Sequence, residues 1–155
     1  MDEEEEKKPS HQENFNIFHS NVNGLESKFD ALHTFLSGSK SALDVLAITE
    51  TSENDSTSFL SNVNIDGFKP PFHTPTLSSK GGTALYINKD FDSFERLDLK
   101  IQNENFESVW VEIKNNNSKN IICGCIYRHP RNMMDDFLLY MEKVLKICQD
   151  ENKEI

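Results

Sequence analysis

Nine residues, Leu43-Asp44-Val45-Leu46-Ala47-Ile48-Thr49-Glu50-Thr51, restrict the fold more than any other stretch of the chain. An apolar β-type run bounded by polar residues reads as a strand buried on both faces, the kind found inside α/β sheets. In such sheets functional groups gather where the strands end. This strand ends on Glu50, which makes that carboxylate the first candidate functional residue.

The residues before it supply the partner elements. Phe15-Asn16-Ile17-Phe18-His19 reads as a short strand stopped by Ser20-Asn21-Val22-Asn23-Gly24. Leu25, Phe29, Leu32 and Leu36 then recur at helical spacing, with Glu26, Lys28 and Asp30 on the other face, and predict an amphipathic helix ending near Ser37-Gly38. Strand, helix and strand in this order form a βαβ unit, whose right-handed crossover makes the two strands parallel. Asn21 and Glu50 are therefore expected at the same end of one sheet.

Residues 51 to 80 are rich in Ser, Asn, Asp, Pro and Thr, with a short apolar piece at Phe59-Leu60 and a short strand expected near Gly67-Phe68. A long polar segment directly after a functional strand end is a candidate substrate-facing loop. Gly81-Gly82 marks a turn or a close backbone approach before Thr83-Ala84-Leu85-Tyr86-Ile87-Asn88. Strands are expected at 94 to 101 and at 107 to 113, where Val109, Val111 and Ile113 alternate with Ser108, Trp110 and Glu112. Asn115-Asn116-Asn117-Ser118 reads as a hairpin turn into the buried strand 121 to 126, which ends on Tyr127-Arg128-His129-Pro130. The last element is a helix capped by Asn132, with Asp135 and Asp136 in its first turn and an apolar stripe of Met134, Phe137, Leu138, Met141, Val144, Leu145 and Cys148. Such a stripe reads as core packing. Lys153-Glu154-Ile155 falls where an α/β fold would enter its next strand.

At 155 residues the chain fits one domain, and eleven Phe compensate for a modest apolar fraction of 36%. The charge of −10 is unevenly spread: residues 2 to 13 carry six acids and two lysines, residues 150 to 155 three acids and one lysine, which leaves −4 for the body. Residues 1 to 13 read as a disordered acidic tail and 14 to 155 as the folded domain. No run approaches the ~20 apolar residues that span a bilayer, and the acidic N-terminus is unlike a signal peptide. The expected location is inside the cell, in nucleus or cytoplasm. Cys123, Cys125 and Cys148 sit inside apolar patterns and read as reduced core thiols.

Taken singly, the polar strand ends have plain readings: Glu50 as a loop or cap residue, Asn21 and Asn23 as turn residues, Tyr127 as a strand-end aromatic with a wet hydroxyl. His19, His33, His73 and His129 are scattered, and none stands out as a general base.

Taken together, Asn21-Val22-Asn23-Gly24-Leu25 with Lys28-Phe29-Asp30, Ile48-Thr49-Glu50-Thr51, Gly81-Gly82-Thr83-Ala84-Leu85-Tyr86-Ile87 and Ile126-Tyr127-Arg128-His129-Pro130 resemble, in order and spacing, the endonuclease/exonuclease/phosphatase superfamily. Within it the likeness is closest to the apurinic-type endonuclease domain of non-LTR retrotransposons. The resemblance implies a four-layer α/β sandwich that hydrolyses DNA phosphodiesters with Mg²⁺ or Mn²⁺. It implies Glu50 as the metal ligand, Asn21 as the polar group beside it, Tyr127 as a hydroxyl directed at the scissile phosphate, Arg128 as a phosphate contact and Asn23 where related enzymes carry an Asp near the metal. The Gly-Asp-x-Asn and Ser-Asp-His motifs that activate water in the family do not occur in this chain. The expectation is an incomplete sandwich that binds metal weakly, does not turn over alone, and self-associates through an uncovered sheet edge. Two other readings stay open: a phosphatase of the same superfamily acting on a small phosphoester, and a non-catalytic interaction module.

Overall fold

The structure is a computed structural model that describes residues 15–39, 42–54, 56–116, 118–130 and 133–155. The expected acidic tail and the Asn132 cap lie outside these residues. The chain is α/β, and the described residues form one mixed sheet, one antiparallel sheet and three helices.

The βαβ unit forms as expected. β1 (Ile17–Asn21) and β2 (Val45–Thr49) are parallel, with α1 (Leu25–Gly38) as the crossover, and Asn21 pairs with Thr49. β1 starts two residues later than its apolar run suggests. Phe15 is drawn aside to the ring of Phe91 (centroids 5.7 Å apart), and the Asn16 N–H donates to the Asp44 carboxylate at 2.8 Å.

The polar segment 51 to 80 is not the long loop its composition suggests. It contains α2 (Ser56–Asn62) and β3 (Phe72–Thr74), and Gly67-Phe68 contributes a single bridge, Phe68 to Asn88. The reason is local apolar spacing: Phe59 and Val63, four residues apart, are both fully buried beneath β2 and β4 (Thr83–Ile87). The first sheet has the order β1-β2-β4-β3.

The expected strand 94 to 101 is two strands, β5 (Ser93–Glu95) and β6 (Ile101–Gln102). The Leu99 N–H donates to the Arg96 carbonyl at 3.1 Å and closes a turn between them, while the Arg96 guanidinium grips Asp98 inside that turn. Both strands pair with β7 (Phe106–Ile113), which pairs along its whole length with β8 (Ile121–Arg128). Among the described residues β8 pairs otherwise only at its start, through a parallel bridge between Ile121 and Glu154.

Strand alternation divides the core. Val45 and Ala47 of β2, Leu85 and Ile87 of β4, Val109, Val111 and Ile113 of β7, and Cys123 and Cys125 of β8 pack into one cluster between the sheets. The opposite face of the first sheet packs on α1 and α2, and that of the second on α3 (Met134–Asp150). The cysteines are free and buried, as the apolar pattern suggests.

The buried face of α3 is displaced from the expected stripe. Val144 and Cys148 are buried, and Phe137, Tyr140, Met141 and Ile147 pack at their sides, whereas Met134, Leu138 and Leu145 are exposed. The reason is a polar anchor. The Tyr140 hydroxyl donates to the Leu99 carbonyl at 2.6 Å and accepts from Trp110 Nε1 at 2.7 Å, which turns the Tyr140 side of the helix toward the sheet. At the other end Arg96 binds Glu112 and Glu151, and Lys153 binds Glu112. The helix N-cap position is Met133, with no side-chain cap hydrogen bond.

Candidate functional site

Three strand ends meet at one corner of the molecule. β1 and β2, being parallel, deliver Asn21 and Glu50 together, and Asn21 Nδ2 donates to Glu50 Oε1 at 2.9 Å. The exits of the two strands are then bound backbone to backbone: Val22 N–H to the Thr49 carbonyl (3.1 Å), Gly24 N–H to that of Glu50 (2.8 Å) and Leu25 N–H to that of Thr51 (3.0 Å). The two strand exits are thus tied by backbone bonds as well as by that side-chain bond.

The backbone at this corner is unusual. Asn23 (φ 47°), Glu50 (φ 56°) and Ser52 (φ 58°) are all left-handed, a conformation that costs a non-glycine residue of order 1 kcal/mol and that clusters at functional sites. Left-handed backbone at Glu50 turns its carboxylate back toward Asn21. Asn23 serves the turn.

Tyr127 arrives from the second sheet and stands beside the Glu50 carboxylate. Burial, together with the nearby Glu50 and Glu107 carboxylates, pushes the Tyr127 hydroxyl above the ordinary tyrosine range, so it stays protonated as a donor. Asn21, Glu50 and Tyr127 are therefore brought together. Arg128 is not on their face, because successive strand residues point to opposite sides, and its Nη1 donates to the His129 carbonyl at 3.4 Å.

The paired glycines mark a close approach. The Ser52 N–H donates to the Gly81 carbonyl at 2.8 Å, and a Cβ built on Gly82 would lie 2.3 Å from the Thr51 hydroxyl. A Cβ on Gly81 would lie 2.8 Å from His129 Cε1. Both glycines have positive φ, so a side chain there meets strain as well as collision.

Two further residues belong to this corner, and neither stands out in the sequence. Glu107 is fully buried and directly opposite Tyr127 in the β7–β8 register, and its Oε1 lies 2.8 Å from His129 Nε2. The His129 and Tyr127 rings pack edge to face, with centroids 5.0 Å apart. Counting the hairpin register outward from the Asn115 turn would have set Glu107 against Tyr127. The period-2 pattern alone shows it only as one more inward position at the end of the strand.

Among the described residues no three His, Cys, Asp or Glu side chains come together as a metal-binding group. Around Glu50 the corner offers the Asn21 amide and the Tyr127 hydroxyl, with the buried Glu107–His129 pair behind them. No helix among the described residues is long and apolar enough to cross a membrane. No family model matches the chain, and no curated protein matches it.

Proposed function

We propose that this corner is the metal-side half of a phosphodiester-cleaving site of the endonuclease/exonuclease/phosphatase type, carried on one part of its four-layer sandwich, with DNA as the substrate class. The observation that carries the reading is the Asn21–Glu50 hydrogen bond of 2.9 Å, with Tyr127 brought beside the same carboxylate from the other sheet. Residues from three strand ends and both sheets converge on one anion, which core packing does not require.

The donor set fits a hard cation. Mg²⁺ takes oxygen ligands, commonly one or two carboxylates with waters and substrate phosphate, and Glu50 offers one such anchor. When bound, the ion would supply Lewis-acid polarisation of a phosphoryl oxygen. The chain's own residues do the rest. Asn21 donates to one oxygen of Glu50 and fixes the carboxylate. Tyr127, kept protonated, provides a hydroxyl to a phosphate oxygen. Arg128, on the opposite face of β8, lies outside this donor set.

No Gly-Asp-x-Asn or Ser-Asp-His stretch occurs in the 155 residues, so the groups that would orient and deprotonate the attacking water are not supplied here. The chain by itself is expected to bind magnesium or manganese weakly and to leave DNA intact. Beyond its bridge to Glu154 the outer side of β8 has no strand partner among the described residues, and copies would associate through that edge.

The test is calorimetric titration of the 155-residue chain with Mg²⁺ and Mn²⁺, with Glu50→Gln beside it. Binding that disappears in the folded variant supports the site. Equal binding by both proteins, or none by either, sinks it. Magnesium-dependent nicking of plasmid DNA that Glu50→Gln abolishes would overturn the inactive-alone part of the proposal.

A further inference from the structure

We infer that Glu107 and His129 are the positioning pair of this corner: the buried carboxylate fixes the imidazole, and the imidazole holds the Tyr127 ring and the Gly81 turn against Glu50. The inference rests on reading Asn21, Glu50 and Tyr127 as one site.

Glu107 has no exposed side-chain surface, and a carboxylate in that position is expensive to desolvate. Its Oε1 is matched by His129 Nε2 at 2.8 Å, while its Oε2 has no hydrogen-bond partner among the described residues. Apolar residues of similar volume would fill the same space with no such mismatch, so fold stability does not account for the pair. The neighbours of His129 point to what does.

The imidazole is only 12% exposed and is held on three sides. Glu107 takes its Nε2. The Tyr127 ring meets it edge to face at an interplanar angle of 84°. Gly81 presses on Cε1 so closely that a Cβ would fit only at 2.8 Å. Each of the last two contacts leads to Glu50 by one more step. Tyr127 stands beside the Glu50 carboxylate, and the Gly81 carbonyl accepts the N–H of Ser52, two residues beyond Glu50. A carboxylate that orients an imidazole, which in turn orients a working group, is the usual way a site is kept rigid. His129 touches both structures that frame Glu50.

The experiment uses the whole chain with tyrosine rings labelled for NMR, in wild type, Glu107→Gln, His129→Gln and the double Glu107→Leu/His129→Leu variant. The double variant removes both polar groups at once and keeps the test alive should a single variant fail to fold. Three readouts are taken in each folded protein: the Tyr127 ring resonances, amide exchange at Ser52 against Leu46 in β2, and the affinity for Mg²⁺. The expected result is a changed Tyr127 environment, faster exchange at Ser52 alone, and magnesium affinity lowered about tenfold, the size typical of lost outer-shell support. Unchanged Tyr127 resonances and Ser52 exchange in folded variants overturn the inference. A wild type that binds no magnesium defeats the functional reading only, since the ring and exchange readouts still decide the positioning role. Magnesium binding lost in Glu50→Gln but untouched in His129→Gln, with Tyr127 unmoved, defeats the positioning role only.

Discussion

The Asn21 side-chain amide donates to the Glu50 carboxylate at 2.9 Å although 29 residues separate them. Both side chains stand at the rim, and Asn21 is exposed, so the bond orients the carboxylate more than it stabilises the fold. Asn21→Ala is expected to leave the unfolding midpoint nearly unchanged, within about 0.5 kcal/mol, and to weaken magnesium binding about tenfold or more. Urea titration and calorimetry on the same preparation check both halves.

Gly124 lies directly under the indole of Trp110. A Cβ there would come within 2.3 Å of Cζ3, and the ring cannot retreat because Nε1 is bonded to Ser108 (3.1 Å) and Tyr140 (2.7 Å). Gly124→Ala should therefore cost about 1–3 kcal/mol through overpacking, read as a lower urea midpoint with an unchanged slope. Full wild-type stability would show that the indole has room to shift.

Arg96 holds Asp98, Glu112 and Glu151 with side-chain bonds of 2.7 to 3.0 Å. Burial works to raise the Glu112 carboxyl, and hydrogen bonds from Lys153, Asn120 and Arg96 overcome it and leave the group below its ordinary range. Asp98 is lowered too, chiefly by its hydrogen bond from Arg96. A carboxyl lowered by folding adds stability above its unfolded pKa and loses it as pH falls toward the folded one. Arg96→Met should cost about 3–5 kcal/mol at neutral pH, because Glu112 stays buried with less compensation. The gap between variant and wild type should narrow as the pH is lowered through the carboxylate range. A constant gap across that range would refute the ion-pair account.

Burial pushes the Cys123 thiol up to about 11 and the Cys125 thiol up to about 12, the latter helped by the neighbouring Cys123. Neither forms the thiolate that reacts near pH 8. A colorimetric thiol reagent at pH 8 should therefore modify these two only on unfolding, at a rate that rises with added urea. Rapid labelling of native protein would contradict their place between the sheets.

The parts of the corner that were legible in the sequence are those governed by connection rules. A strand, a helix of about fourteen residues and a second strand have one favourable handedness, so Asn21 and Glu50 had to share a sheet end. The α2 helix and the α3 face were not legible for a related reason. α2 rests on two apolar residues in a polar segment, and α3 carries more apolar surface than the sheet covers, so tertiary anchors chose the outcome. Tyr140 reaching Leu99 and Arg96 reaching Glu151 join positions 41 and 55 residues apart, beyond any local pattern.

The sequence by itself determined the parallel strand pair, the turn residues at its exits and the burial of the three cysteines, because periodicity, crossover handedness and glycine placement act over short distances. The tertiary structure alone decided that Tyr127 would stand beside Glu50 from the opposite sheet and that Glu107 would be buried against His129. Both depend on how two sheets face each other and on a hairpin register, and that packing is set by the summed burial of the whole inter-sheet core.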